Sequence, residues 1–123
     1  MGLPGADVEN SQFGFSAVTN RGKAIVSLSG EFDVLAATNF EERALEVAHL
    51  PEVDDKVLTI DLSEVSFINS RALKSMLALQ ETLAGQDRAV ALREPSTPVM
   101  RILEMTELVD TFPIVDDAGQ QLN

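Results

Sequence analysis

Hydrophobic residues change their spacing several times along this chain, and this change limits the possible folds more than any other feature of the sequence. Apolar and polar residues alternate in two runs, 13–17 and 23–29, which is the period of half-buried strands. The segment 19–22 between them predicts a turn in which Asn20 and Gly22 occupy the positive-φ positions. The two runs and the short turn therefore predict a β-hairpin.

The spacing then becomes helical. Thr38 followed by Glu41 has the spacing of a capping box, which predicts that a first helix begins there. Pro51 closes this helical segment. The next run, 57–62, is almost continuously apolar, which is typical of a strand that is covered on both faces.

Two more helices and two more strands follow. A second helix is predicted to begin at residues 69–70 and to end at Gly85. The pair 97–98, a threonine followed by a proline, opens a third helix. Short apolar runs at 89–93 and 112–115 predict two strands, the second of them at a sheet edge because it contains a proline.

The predicted order of elements is therefore β-β-α-β-α-β-α-β. Strands that alternate with helices form crossover units, so the predicted fold class is α/β, with a mixed, mostly parallel sheet of about five strands, helices packed on it and an N-terminal hairpin. The residues predicted to fill the core are Val57, Leu58, Ile60, Val90 and Leu92 in the sheet, and Phe40, Leu73, Leu77, Ile102 and Leu103 on the helices.

A single domain is the expected organisation for 123 residues. Residues 1–12 are predicted to be a flexible leader, 13–115 the folded domain, and 116–123 a polar C-terminal tail that frays. The chain has no cysteine, which excludes disulfides, thiol catalysis and cysteine-bound metal sites.

The charge balance excludes several classes of partner. Twenty acidic residues against nine basic ones give a net charge of −11, which repels nucleic acids and anionic membrane surfaces. No apolar run approaches the roughly 20 residues of a membrane span, and the first ten residues lack the features of a signal peptide. We therefore expect a cytoplasmic, acidic protein that does not bind nucleic acid or insert into a membrane.

Candidate catalytic residues are few. His49 is the single histidine, and near the carbonyls at a helix end it is expected to have a structural role. The Asp54-Asp55 pair is expected to be a solvated turn, and Asp61, although near the end of a strand, to be a capping or turn residue. The sequence contains neither a nucleophile elbow nor a glycine-rich phosphate loop. We therefore expect no enzymatic activity, no cofactor and no metal site.

The most informative segment is 61–73, where a buried strand is predicted to lead through a polar connection to the start of a helix. The free backbone N–H groups at that start and the positive end of the helix dipole face Asn69 and Ser70. Such a position suits an anion or phosphate, but ordinary helix capping by Asn69 or Ser70 is the simpler explanation. Both interpretations stay open at this point.

Two motifs resemble those of a known family. Asp61-Leu-Ser-Glu-Val-Ser-Phe-Ile-Asn-Ser-Arg-Ala-Leu73 is similar to the central motif of STAS domains, in particular the anti-sigma factor antagonists, and Leu28-Ser-Gly-Glu-Phe-Asp33 is similar to their second-strand motif. The resemblance extends over about residues 13–115. It implies a binding module rather than an enzyme, which regulates sigma-factor-dependent transcription by binding an anti-sigma factor. That partner is often a serine kinase, which phosphorylates a Ser or Thr at the start of the second helix.

The chain departs from this family pattern at the phosphoacceptor. Arg71 occupies the acceptor position, Asn69 replaces an acidic residue and Ala72 replaces a glycine. Arginine cannot be phosphorylated, which leaves the neighbouring Ser70 as a weak alternative. A cation in the first helical turn opposes the helix dipole, so Arg71 either has a function or is an exposed residue of small cost.

The resemblance therefore implies that one edge of the domain binds a partner. Two other functions remain as alternatives to an anti-sigma factor antagonist. One is a STAS subunit of a larger assembly, such as the cytoplasmic module of a transporter or a sensory complex. The other, a small nucleotide-binding module, is disfavoured because the chain has no glycine cluster. A homodimer is also left open. The residues predicted to contact the partner are Asp33, Ser63, Phe67, Asn69, Ser70 and Arg71.

Overall fold

The computed structural model describes residues 13–123, so the predicted leader, 1–12, lies outside the described residues. These residues form one five-stranded sheet in the order β1-β2-β3-β4-β5. β1 and β2 are antiparallel and all other neighbours are parallel, which confirms the predicted mostly parallel sheet with an N-terminal hairpin. The strands are β1 (Phe13–Asn20), β2 (Lys23–Phe32), β3 (Val57–Ile68), β4 (Ala89–Arg93) and β5 (Ile114–Val115), and the helices are α1 (Val34–Ala48), α2 (Ser70–Ala84) and α3 (Thr97–Met105).

The core lies between one face of the sheet and the three helices. Alternate residues of the central strands are fully buried there, because successive side chains of a strand point to opposite faces. The strands contribute residues such as Val26, Leu28, Ile60, Leu62 and Leu92, and the helices contribute Phe40, Met76, Leu79, Val99 and Leu103. Each such side chain contributes about 1.5–3 kcal/mol by its removal from water.

Among residues 13–123 no helix lies on the opposite face of the sheet, which corrects the prediction that the run 57–62 is covered on both faces. Val57, a predicted core residue, is 39% exposed, and Thr59 is only half-buried. The reason is topological. Crossovers between parallel strands are right-handed as a rule. Because the strand order does not reverse, this rule puts α1, α2 and α3 on the same face. Leu77 and Ile102, also predicted in the core, lie half-buried at its margin.

The β1–β2 turn differs from the prediction by one residue. Asn20 pairs with Lys23, so the loop has two residues, and its positive-φ positions are Arg21 (φ 54°) and Gly22 (φ 81°) rather than Asn20 and Gly22. Two successive positive φ values are the geometry that matches the twist of a two-residue hairpin. The register of β1 with β2 decides which residues adopt positive φ, and the local sequence does not show that register.

The N-cap of α1 lies five residues earlier than the capping box predicts, at Asp33 instead of Thr38. Asp33 caps the helix, since its Oδ1 accepts hydrogen bonds from the backbone N–H groups of Leu35 (3.1 Å) and Ala36 (3.2 Å). Thr38 lies inside the helix, where its hydroxyl donates to the carbonyl of Val34 (2.9 Å). A carboxylate at the N-cap is favoured by the helix dipole as well as by hydrogen bonding.

β3 is twice as long as predicted, and the supposed polar connection 63–67 is part of it. Its second half pairs with β2 from Ser29↔Glu64 to Phe32↔Ile68, with register shifts after Ser27 and after Gly30. Each shift is a bulge that accommodates one extra residue in β3. Pairing with a neighbouring strand therefore outweighs the polar composition of this segment.

The C-terminal segment 116–123 is ordered by hydrogen bonds, contrary to the expected fraying. It turns at Asp116 and returns along β5, where Gln121 bridges Val115 and the Leu122 N–H donates to the carbonyl of Ile114 (2.7 Å). The Asn123 side chain accepts from the Ile114 N–H and donates to two backbone carbonyls. This segment therefore covers the outer edge of β5.

Candidate functional site

Two strand–helix junctions lie side by side at the carboxyl ends of β2 and β3. The strands are parallel and their last residues, Phe32 and Ile68, are partners in the ladder. The Asn69 N–H donates to the Phe32 carbonyl (3.4 Å), which ties the two junctions together. Because the carboxyl ends of parallel strands meet at one edge of a sheet, residues 33–35 and 67–71 are brought close together although more than 30 positions separate them.

Asp33 and Asn69 have the same structural role at these junctions. Both have extended backbone angles and cap the helix that follows. The Asn69 side-chain oxygen accepts a hydrogen bond from the Ala72 N–H (3.0 Å), just as Asp33 does at α1. A neutral amide in place of a carboxylate keeps this hydrogen bond but removes a negative charge from the junction.

Ser70 and Arg71 form the first turn of α2 and are exposed. Within residues 13–123 neither side chain has a hydrogen-bond or ion-pair partner. Arg71 also lines a shallow groove of about 300 Å³ between the first turns of α1 and α2. The groove is lined by Val34, Ala37 and Thr38 on α1, and by Arg71, Lys74 and Ser75 on α2.

Lys74 gives this groove a second positive charge, and the sequence reasoning missed it. Residues three apart on a helix lie on the same face, so Arg71 and Lys74 both point into the groove. Lys74 also lacks an ion-pair partner in the described part of the chain. Two free cations in a chain of net charge −11 make this groove a local site for a carboxylate or another anion of a partner. The i, i+3 spacing from Arg71 was the available signal.

Three apolar side chains close in sequence to the two junctions are exposed. Val34 is 45% exposed, Leu35 76% and Phe67 47%, and each lies within three residues of the paired strand ends. Sequence reasoning named Phe67 but missed Val34 and Leu35, because it started α1 at Thr38. An aspartate directly after a strand was the signal that could have placed both residues in an exposed first turn.

Ser63 lies apart from the other predicted site residues. It is six residues before Asn69 along β3, which is roughly 20 Å of extended chain. It lines a different concavity, on the face of the sheet opposite α1, α2 and α3, together with Gly14, Ser16 and Ser29. The structure therefore brings together Asp33, Phe67, Asn69, Ser70 and Arg71, but not Ser63.

Ser63 instead belongs to a small polar network around Asp61. The Ser63 N–H and hydroxyl both donate to Asp61 Oδ1 (2.9 and 2.7 Å), and Arg93 Nε donates to Asp61 Oδ2 (2.6 Å). Burial opposes ionisation of Asp61, but the hydrogen bonds from Ser63 and the ion pair with Arg93 outweigh it, so the Asp61 pKa is lowered. Asp61 lies in the middle of β3, not at a strand end as predicted.

The remaining chemical candidates lie away from the junctions. His49 is the C-cap residue of α1, and its Nε2 is hydrogen-bonded to Oε1 of Gln86 (2.7 Å). Among residues 13–123 no group of three His, Cys, Asp or Glu side chains could hold a metal ion. No helix in that part of the chain is long and apolar enough to cross a membrane.

Comparison with known proteins gives consistent similarities over nearly the whole described chain. A family model described as "Mlab, STAS domain" matches residues 15–116. Anti-sigma-B factor antagonists of Listeria monocytogenes and Listeria innocua are each 32% identical over 95 residues, which are 77% of this chain and 81% of the relative.

Solved structures agree with these similarities. An anti-sigma factor antagonist from Mycobacterium paratuberculosis is 31% identical, with a TM-score of 0.69 over 83% of this chain and 84% of that one. The anti-sigma factor antagonist SpoIIAA in its unphosphorylated form has a TM-score of 0.68 over 84% and 87% of the two chains. At 18% identity the second likeness shows a shared fold.

Proposed function

This chain belongs to the STAS domain family, and we propose that it acts as an anti-sigma factor antagonist that works by binding a partner and not by catalysis. Three of the relatives named above exceed 30% identity, and they support the proposal because each is described as an antagonist of an anti-sigma factor. The partner proposed for this chain is accordingly an anti-sigma factor, in the form of a serine kinase or a protein related to one.

The observation that carries the proposal is the adjacency of the two strand–helix junctions. We call the exposed residues there the junction surface: Val34, Leu35, Phe67, Ser70 and Arg71. An apolar centre with polar residues at its margin is the usual composition of a protein interface, and here Val34, Leu35 and Phe67 supply the apolar part. Asp33 and Asn69 contribute by capping the helices that carry it.

A titration with the purified anti-sigma factor of the same organism tests this surface. Ser70→Asp places a carboxylate in the interface, and we expect it to raise the dissociation constant more than tenfold, which is about 1.4 kcal/mol. Thr97→Asp is the matched control, because Thr97 is also the exposed first residue of a helix and the change also replaces a hydroxyl with a carboxylate. Equal affinities for the wild type and both variants would remove the junction surface from the interface.

We also propose that phosphorylation at this motif does not switch binding. Arg71 has no hydroxyl, and Ser70 precedes it by one residue, which turns its side chain about 100° away on the helix. A kinase aligned on the family's acceptor position would therefore not reach the Ser70 hydroxyl. Binding is then constitutive or controlled by another input.

Mass spectrometry after incubation with the partner kinase and ATP tests this second point. The wild type, Arg71→Ser and Ser70→Ala are compared. Phosphate only in Arg71→Ser is expected if the geometry for transfer is intact and only the acceptor is missing. Phosphate on Ser70 of the wild type, lost in Ser70→Ala, would overturn the proposal.

The alternative function, as a subunit of a larger assembly, predicts a different partner. A pull-down from native cytosol followed by identification of the bound proteins separates the two. An anti-sigma factor that then binds the purified chain supports the antagonist function, whereas transporter or sensory subunits support the alternative.

A further inference from the structure

The two edges of the sheet are protected to different degrees. The outer edge of β5 is short, two residues, and the returning C-terminal segment covers it through the Val115–Gln121 bridge and the Leu122 hydrogen bond. The opposite edge is β1, which is eight residues long. Among residues 13–123 nothing pairs with its outer side, because β1 has β2 as its single neighbour.

β1 also lacks the devices that usually protect an edge strand. Natural edge strands are blunted by charged side chains, by proline or by bulges. The strand has the sequence FGFSAVTN, without a charge or a proline, and its register with β2 is unbroken over eight pairs. Val18 in the second half of the strand is 62% exposed.

The pairing with β2 shows which backbone groups of β1 point outwards. Asn20 and Lys23 flank a two-residue turn, so they form a hydrogen-bonded pair, and such pairs alternate with non-bonded ones along an antiparallel ladder. Residues 14, 16, 18 and 20 therefore bond to β2. The N–H and C=O groups of residues 13, 15, 17 and 19 point away from the sheet, where they form an unused row of donors and acceptors.

We infer that β1 pairs in antiparallel orientation with β1 of a second copy, so that two five-stranded sheets join into one continuous sheet. An antiparallel pair of identical strands has two-fold symmetry, which is the commonest symmetry of protein dimers. Two copies that each carry a net charge of −11 repel one another over most of their surfaces. Residues 10–20 carry no charged side chain, so this edge is where two copies meet without placing like charges opposite each other.

Charge at the edge provides the test. Val18→Lys puts a cation on each copy of the strand, and Leu122→Lys is the matched control, because Leu122 is also an apolar residue with high exposure, 65%, at the other edge of the sheet. Sedimentation velocity on the full chain is measured from about 10 to about 500 μM, a range that detects dissociation constants in the micromolar range. The monomer mass is 13.3 kDa, and the dimer has twice that mass.

We expect the wild type and Leu122→Lys to shift toward the dimer with rising concentration, and Val18→Lys to dissociate at least tenfold more readily. Added salt should strengthen the dimer, because it screens the repulsion between the two acidic copies. Ala17→Pro is a second variant, since proline removes an outward N–H and leaves the bonds to β2 intact. A wild type that remains at 13.3 kDa at every concentration would overturn the inference, as would a dimer that neither variant weakens.

Either a second copy or residues 1–12 of the same chain could pair with the outer side of β1. Hydrogen exchange on the full chain distinguishes the two. A second copy protects the amides of residues 15, 17 and 19 only as concentration rises. Protection that is already complete in the dilute monomer would assign the edge to the chain's own N-terminal residues and would overturn the dimer.

Discussion

The ion pair between Asp61 and Arg93 should be required for stability at neutral pH but not in acid. We consider Arg93→Met, which keeps an unbranched side chain of similar length and removes the charge. Asp61 is 7% exposed and would keep its two hydrogen bonds from Ser63 without a cation nearby. Removing one partner of a fully buried pair costs about 3–5 kcal/mol. The Arg93 side chain is 25% exposed, so water replaces part of the loss, and we expect about 2–3 kcal/mol, near the upper range for a hydrogen bond to a charged group.

The pH dependence follows from the lowered Asp61 pKa. A carboxyl whose pKa is lower in the folded than in the unfolded state adds stability above its unfolded pKa and loses it as the pH falls through the folded pKa. Burial alone would raise this pKa, and Arg93 helps to lower it. Arg93→Met should therefore raise the Asp61 pKa. The loss of stability that this variant shows relative to the wild type should be largest at neutral pH and disappear in acid, where a neutral carboxyl needs no cation.

Urea unfolding of the wild type and Arg93→Met at pH values of about 7 and about 3, on either side of the ordinary aspartate pKa, measures this difference. Lys56→Met is the control, because Lys56 pairs with Asp87 on the surface, where an ion pair contributes little. A double-mutant cycle with Asp61→Asn is a second measurement: in the Asp61→Asn protein, Arg93→Met should lower the stability by less than it does in the wild type. A deficit of equal size at both pH values, or one no larger than that of Lys56→Met, would refute the assigned role of the pair.

Three further predictions concern stability and are checked by the same urea unfolding. Met76→Ala should lower the free energy of unfolding by about 2–5 kcal/mol, because Met76 is fully buried. Leu77→Ala should lower it clearly less, because Leu77 lies at the margin of the core. The reverse order would contradict the packing of α2. Asp33→Ala should lower the free energy of unfolding by about 1 kcal/mol through loss of the α1 cap, whereas Thr38→Ala should leave it nearly unchanged. A larger effect at Thr38 would mean that the capping box marks the start of the helix. Asn123→Ala should cost about 1–2 kcal/mol, because its side chain makes one hydrogen bond to the Ile114 N–H and two to backbone carbonyls; an unchanged midpoint would mean that the C-terminal segment does not stabilise the β5 edge.

Local patterns in the sequence were sufficient for the order of elements and for part of the site. The start of α2 at residues 69–70 and its end at Gly85 are confirmed, because a cap and a terminating glycine act within about one helical turn. The family was predicted from two motifs and is confirmed by the matching family model. Five of the six predicted contact residues lie at one edge because parallel strands end together, which the order of elements already implied.

Contacts between residues far apart in the chain decided the rest. The start of α1 at Asp33 depends on how far β2 pairs with β3, since that pairing carries the strand to Phe32. Which face of the sheet is covered by helices depends on the handedness of the three crossovers, and no run of hydrophobic residues indicates that handedness. The Asp61–Arg93 pair joins residues 32 positions apart, and the groove brings Lys74 beside Val34 on another helix. A sequence pattern reports interactions within a few residues of the chain, whereas each of these features arises from packing between separate elements.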